Sequence, residues 1–280
     1  VKVISTIPLN AIGFTYNSKH SITDYYLYLL ASPINVIPGG RNQSVVVPGR
    51  DGAYDFGTEI GERTIIFECA LYAVGETQIR QRTRNIAAWL DPTGGVKKLI
   101  LDGEPDKSYW ARTVNTIDLG PVLGEKGTTV EFVAFDPYAY ANTPVVVEQS
   151  IADGETITLI NSGLKRTPMM IEVQNPELTG HKMFPVLGTG ICPDIGATTL
   201  ISGFTLTVNE DECEYTATLV DGTTASIDTD RMTVKLGGVN MLTAHDGAFP
   251  QLGVGSNTLK FESVHGCSAR IKITYYERWL

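Results

Sequence analysis

The chain is poor in the residue types that most often carry chemistry. Its 280 residues include only four cysteines and four histidines. Cys69, Cys192, Cys213 and Cys267 lie too far apart for a CxxC metal knuckle or a dense disulfide framework. They read as small buried hydrophobes of a protein made in a reducing cytoplasm. The histidines, His20, His181, His245 and His265, form no HExxH, and the one adjacent His-Asp pair is His245-Asp246. No GxSxG nucleophile turn occurs, nor the Gly-Lys-Ser or Gly-Lys-Thr of a P-loop. Gly188-Thr189-Gly190 opens like a dinucleotide loop, but its third glycine comes late. The acidic groups Asp211-Glu212, Asp228 with Asp230, and Asp102-Gly103-Glu104-Pro105-Asp106 fall where β-turns are expected. Turn chemistry accounts for them better than a calcium loop or a glycosidase carboxylate pair. No catalytic residue, cofactor or metal site is assigned, and no enzyme is expected.

Long apolar runs are also missing. The longest falls short of the roughly 20 residues a membrane helix needs, and Val1-Lys2-Val3-Ile4 does not open an export signal, so neither membrane insertion nor export is expected. Basic clusters are absent as well. With 22 Lys and Arg against 31 Asp and Glu, the net charge is −9. Such a field repels a phosphate backbone and argues against sequence-specific nucleic-acid binding. The 42% hydrophobic content is what a packed core requires, which excludes a disordered chain. At about 150 residues per domain, the length suggests two domains.

What is present is mostly β pattern. Val, Ile, Thr, Tyr and Phe recur with period two between Gly, Pro and Asp punctuation. From Thr64 to Val74, Ile65, Phe67, Cys69, Leu71 and Ala73 share one face, and Ile66, Glu68, Ala70 and Tyr72 the other. Both faces are apolar enough to predict a strand between two layers. Further strands are predicted at Lys97–Leu101, Tyr109–Asp118 and Thr128–Phe135. One helix interrupts them over 77–90: Thr77 is its expected N-cap, Ile79, Thr83, Ile86 and Leu90 form an apolar stripe with Trp89 beside it, and Asp91-Pro92 with Gly94-Gly95 stops it. Arg80, Arg82 and Arg84 lie on this helix, as a solvated face or as a contact to an acidic partner or neighbouring subunit.

The segment 37–61 reads as an extended β arm. Pro48-Gly49 and Asp51-Gly52 are turn signals, and Asp51-Gly52 suits a tight hairpin. Two strands alone are marginal in water, so the arm must lie on its own domain or on another subunit.

Asp136-Pro137-Tyr138 closes this half, and the boundary is placed at residues 140/141. Beyond it, strands are predicted at Val145–Val147, Thr156–Ile160, Met169–Val173, Phe204–Val208, Glu214–Leu219, Met232–Leu236, Asn257–Val264 and Ala269–Tyr276. The turns Asp153-Gly154, Asp221-Gly222 and Gly237-Gly238 separate them. Eight short strands without a helix predict an antiparallel sandwich of the jelly-roll kind. No fixed-period repeat links them, so solenoids and propellers are not expected.

The run Pro48-Gly-Arg-Asp-Gly-Ala-Tyr-Asp-Phe-Gly57, the helix ending Ile86-Ala-Ala-Trp-Leu90, then Leu99-Ile-Leu-Asp102, Tyr109-Trp-Ala-Arg112 and Phe132-Val-Ala-Phe-Asp-Pro-Tyr138 occur in an order that resembles the amino-terminal domain of the distal tail proteins of long-tailed bacteriophages. Phe249-Pro-Gln-Leu252, Gly255-Ser-Asn-Thr-Leu-Lys-Phe261 and Tyr275-Tyr-Glu-Arg-Trp-Leu280 extend the resemblance to the carboxy terminus. The resemblance implies a mainly β protein: a ring-forming, tail-tube-like domain over 1–140 and a galectin-like β-sandwich over 141–280. It implies a structural role in the virion tail tip, as a hexameric ring that joins the tail tube to the adhesion apparatus and lets DNA pass. The implied partners are further copies of the chain, the tail tube protein, a hub or tail-lysin protein, and receptor-binding proteins on the sandwich. An acidic chain is compatible with a lumen that does not hold DNA back.

An arm that reaches the next subunit generates a ring if the rotation closes. The candidates for that interface are Arg50, Asp51, Tyr54 and Asp55 on the arm, with Arg80 and Arg84 on the helix; for Arg50 and Asp51 the alternative is a purely local turn. The alternative function is a carbohydrate-binding sandwich, for which Trp279 is the only tryptophan after Ala139.

Overall fold

The computed structural model describes residues 12–31, 37–114, 128–175, 201–220 and 222–280. Cys192, His181, Gly188-Thr189-Gly190, the amino-terminal Val1–Ile4, Asp221 of one expected turn, and the end of the strand expected at Tyr109–Asp118 lie outside them. Contacts divide the chain into two compact units, Val1–Asn142 and Thr143–Trp279.

The first unit is a curled sheet. Its elements are β1 (Phe14–Tyr16), β2 (Lys19–His20), α1 (Ser21–Tyr25), β3 (Leu27–Ala31), the arm strands β4 (Gly40–Val45) and β5 (Tyr54–Ile60), β6 (Arg63–Leu71), α2 (Glu76–Trp89), β7 (Lys97–Leu101), β8 (Glu104–Thr113), β9 (Thr128–Ala134) and β10 (Ala139–Ala141). The sheet order is β2-β1-β7-β8-β9-β6-β3, with β10 on β8. A bridge between Ile12, two residues before β1, and Leu29 of β3 joins the two ends of the sheet, which closes into a barrel.

Aromatic residues fill the interior. Phe14 stacks on Phe67 at 4.9 Å and meets Phe132 edge-on at 5.6 Å. Trp89, from the last turn of α2, stacks on Phe14 at 5.6 Å and on Tyr25 at 4.2 Å, and its Nε1 donates to the Tyr16 carbonyl at 2.9 Å. Burying one such side chain is worth about 1.5–3 kcal/mol, so this cluster ties helix to barrel.

Several expectations need correction here. β6 does not lie between two layers: Ile65, Phe67 and Cys69 are buried, while Ile66 and Glu68 are exposed on the barrel's outer wall. The N-cap of α2 is Gly75, at φ 80°, not Thr77, and its side of the turn is closed by Gln78 Oε1 accepting from Val74 N at 2.6 Å. A second, five-residue helix, α1, stands where none was expected; the His20 side chain caps it. Only Asp102-Gly103 form the turn before β8, which already begins at Glu104. The arm is not a tight hairpin at Asp51-Gly52. Eight residues, 46–53, join β4 to β5, with a turn at Val47–Arg50 in which Pro48 precedes Gly49 at φ 85°.

The second unit is an antiparallel sandwich. Its strands are β11 (Val145–Ile151), β12 (Thr156–Asn161), β13 (Met169–Gln174), β14 (Phe204–Val208), β15 (Asp211–Tyr215), β16 (Thr224–Asp228), β17 (Thr233–Leu236), β18 (Val239–Asn240), β19 (His245–Gly247), β20 (Gly255–Ser263) and β21 (Ala269–Tyr275). One sheet has the order β11-β21-β13-β16-β17-β18, the other β12-β20-β14-β15-β19. Alternate residues of both, such as Ile171, Val173, Leu206, Val208, Leu259 and Ile273, form one core. Gly237 and Gly238, at φ 55° and 88°, make the two-residue loop between β17 and β18.

Here too the pattern shifts. Asp211-Glu212 open β15 rather than forming a turn, which falls on Asn209-Glu210. The strand expected at Glu214–Leu219 ends at Tyr215. β16, β18 and β19 were not expected; Thr224–Asp228 has only Ala225 and Ile227 pointing inward, and the other two are two and three residues long. Cys69 and Cys213 are buried, but Cys267 is half-exposed in the loop between β20 and β21.

Candidate assembly interface

The arm has a fixed root and an uncovered body. At the root, Gly61 N donates to the Gly39 carbonyl at 2.7 Å, and a Cβ on Gly61 would stand 2.7 Å from that same oxygen. Only glycine permits this approach. Next to it Pro38 is buried, and Arg63 is fully buried, its Nε donating to the Pro137 carbonyl at 2.9 Å and its guanidinium lying 5.7 Å from the Tyr109 ring centre. Burial pushes the Tyr109 hydroxyl above its ordinary pKa, with Arg63 pulling the other way.

Beyond the root every residue from Gly39 to Glu59 is exposed. The pairing Arg41↔Glu59, Asn42↔Thr58, Ser44↔Asp55 and Val45↔Tyr54 contains a bulge opposite Gln43, where Gly57 has φ 100°. Arg41 pairs with Glu59 at 3.2 Å on one face, and Thr58 donates to Asn42 at 2.8 Å on the other. Alternation then places Val45, Tyr54 and Phe56 together on the first face near the tip, 52%, 47% and 71% exposed. A two-stranded ribbon that shows three large apolar side chains to water is poorly stable by itself.

Four of the six candidate residues meet at this tip. Arg50 lies over the Tyr54 ring, 4.0 Å from its centre. Asp51 is exposed in the bend, and Asp55 accepts from Gly57 N at 2.9 Å. The other two stand on α2: Arg80 pairs with Glu76, whereas Arg84 is exposed and makes no ion pair among the described residues. Arg82 belongs to the fold, since its guanidinium lies 3.7 Å from the Tyr26 ring centre and donates to the Tyr72 carbonyl. Phe56 and Val45 were not singled out from the sequence, although the spacing of Tyr54 and Phe56 was a usable signal.

The polar groups elsewhere serve the fold. His245 stacks on Phe249 at 4.3 Å, and Asp246 accepts from Gly247 N at 2.8 Å. Asp228 Oδ1 accepts from the backbone of Asp230 and Arg231, and Asp230 pairs with Arg278 at 3.2 Å. Among the described residues no three His, Cys, Asp or Glu side chains stand together as metal ligands.

Comparison with known proteins finds a family match in each unit. Residues 20–133 match the phage tail protein RIFT-related domain, and residues 194–279 match the C-terminal domain of siphovirus-type tail components. The chain is similar in fold to the crystal structure of the Dit protein of phage SPP1, described as a paradigm of the hub adsorption apparatus in phages that infect Gram-positive bacteria. The identity is 14%, covering 97% of this chain and 100% of that one, with a TM-score of 0.74. It also aligns with a chain of the phage p2 baseplate in its activated conformation with strontium, at 10% identity over 94% of this chain and 97% of that one, with a TM-score of 0.45. No curated protein matches.

Proposed function

Because this chain belongs to the distal tail proteins of siphoviruses, we propose that six copies close into a ring at the tip of the virion tail, each arm seated on the next copy. The observation that carries this reading is the run Gly39–Glu59, wholly exposed, rigid at its root and apolar on one face. An arm on one surface and its seat on another make a head-to-tail contact, which generates a ring when the rotation closes.

The ring is structural rather than catalytic. It joins the tail tube protein on one side to a hub or tail-lysin protein on the other, and its lumen passes DNA. The sandwich of the second unit offers the surface for receptor-binding proteins. Charge supports this division of labour in a way the total of −9 conceals. Residues 1–142 carry 15 acids and 13 bases, residues 143–280 carry 16 acids and nine bases. The barrel unit is close to neutral, so a lumen built from it neither grips nor strongly repels a polyanion, and most of the acidity belongs to the sandwich.

Light scattering on a sizing column, with negative-stain imaging of the peak, tests the ring. Six copies of 30.4 kDa give about 182 kDa. That mass with six-fold rings is the expected result; a 30.4 kDa species at high concentration counts against the reading.

A further inference from the structure

The proposed ring needs a seat for the arm, and the barrel wall carries one surface that fits. Ala111 pairs with Ala134, so Trp110 on β8 stands opposite Phe135 just past β9. Lys98 on β7 lies on the other side of Trp110. The inward neighbours Tyr109, Ala111 and Ala134 are buried, which turns Trp110 and Phe135 outward, 47% and 46% exposed. Farther along the same outer face Ile66 and Val114, 37% and 44% exposed, flank Glu131. Arg112 lies over Phe135, 4.7 Å from the ring centre. An exposed tryptophan and phenylalanine side by side on a barrel wall form the aromatic and arginine-rich composition of an interface centre.

Charge selects the occupant. Lys98 and Arg112 make no ion pair among the described residues, and neither do Asp51 and Asp55 at the arm tip. Asp55 lies on the opposite face from Tyr54 and Phe56 and accepts from Gly57 N. The arm therefore brings an apolar face with the Asp51 carboxylate in the bend beside it, and the wall an apolar face with the cations Lys98 and Arg112 beside it. A strand of six or seven residues at about 3.3 Å each reaches roughly 20 Å, enough to lie across several strands spaced about 4.8 Å apart. The chain does not cover its own wall patch with its own arm, since both remain exposed.

We infer that the arm of one copy seats on the Trp110–Phe135 wall of a second copy, with Tyr54 and Phe56 against the aromatic pair and Asp51 in the bend facing Lys98 and Arg112. This rests on the ring reading and adds where the contact is made. Arm and wall are different surfaces, so a copy without an arm still offers a seat, and a copy without a seat still offers an arm.

The test uses two full-length variants and their mixture. One replaces residues 41–59 by a short glycine turn. The other carries Trp110→Asp with Arg112→Glu, and a milder version carries Arg112→Glu alone. Circular dichroism and a cooperative melt establish that each is folded; the arm and Trp110 are exposed and Arg112 is half-buried. The expected result is a single-copy mass for each variant, and a mass close to two copies for the 1:1 mixture, because only one arm and one seat remain. In a separate pair, Asp51→Arg restores assembly lost in Arg112→Glu. If the wild type forms rings but the mixture stays monomeric, or the wall variant still forms rings, the seat lies elsewhere while the ring reading survives. If the wild type stays monomeric, the ring reading falls and the seat with it.

Discussion

His20 shows how one side chain can hold three segments. Its Nδ1 accepts from Ile22 N at 3.3 Å and Thr23 N at 3.4 Å, which caps α1, while Nε2 lies 3.1 Å from both carboxylate oxygens of Asp102. Asp102 also accepts from Gly13 N at 2.8 Å. Since Nδ1 is the acceptor, the proton belongs on Nε2 and is donated to Asp102. His20→Ala removes a cap and a carboxylate partner together and is expected to cost about 1–2 kcal/mol in urea unfolding. Trp89→Ala opens the barrel cluster and is expected to cost about 3–5 kcal/mol, with a matching drop in the denaturation midpoint. The cysteines differ by burial. Cys69 and Cys213 have thiols pushed up to about 12 by burial, so at pH 8 they stay neutral and unreactive. In a chain with Cys192→Ser, a disulfide reagent is expected to titrate one thiol, Cys267, in the native state and three after denaturation. Fast labelling of all three in the folded protein would contradict the burial.

At the scale of elements, the arm and the barrel separate cleanly. Because residues 39–59 contribute no buried side chain, replacing 41–59 by a short turn between Gly40 and Ile60 should leave the melting temperature of the barrel nearly unchanged while abolishing assembly. Phe56→Asp should do the same with a single change, since a carboxylate at the centre of a closing apolar contact is left without water or partner. A variant that lost its fold as well would mean that the arm supports its own barrel. The elements differ in how plainly they can be read. β7 and β14 run over their expected residues because several alternating apolar positions lie between clear breakers. The start of α2 moved because a threonine can cap a helix wherever the backbone presents it, and here the reversal was made by Gly75 instead. β16, β18 and β19 were hidden because short strands are made by their neighbours: each is a strand only where an existing edge pairs with it.

For the whole molecule the consequence is a division of charge and of task. The outer face of the six-stranded sheet neutralises itself, with Arg270 on Glu148 and Lys272 on Glu172, both at 2.7 Å. The bond to Glu172 keeps the Lys272 ammonium charged beyond its ordinary range, although an exposed pair of this kind adds little stability. In the proposed ring, each arm contact brings the Asp51 carboxylate to Lys98 and Arg112 at a rim that water reaches. Assembly is therefore expected to slow and weaken as salt rises, and sedimentation in low and high salt measures that. A ring indifferent to salt would point to purely apolar seating on the wall.

The sequence by itself determined the β class, the helix expected over 77–90 and found at Glu76–Trp89, and the resemblance to tail proteins, because these rest on local spacing and on ordered motifs. It also marked 37–61 as an arm and named Arg50, Asp51, Tyr54 and Asp55 within it. Tertiary structure decided the rest. Closure of the barrel depends on Ile12 meeting Leu29, the capping of α1 on Asp102 meeting His20 across 82 residues, and the wall patch on Trp110 meeting Phe135 across a strand register. Whether an apolar side chain is core or interface cannot be read from its identity, since Phe56 and Phe67 look alike in a string. The first stands in water and the second is fully buried, and that difference is set only by which strands pair and which face they turn inward.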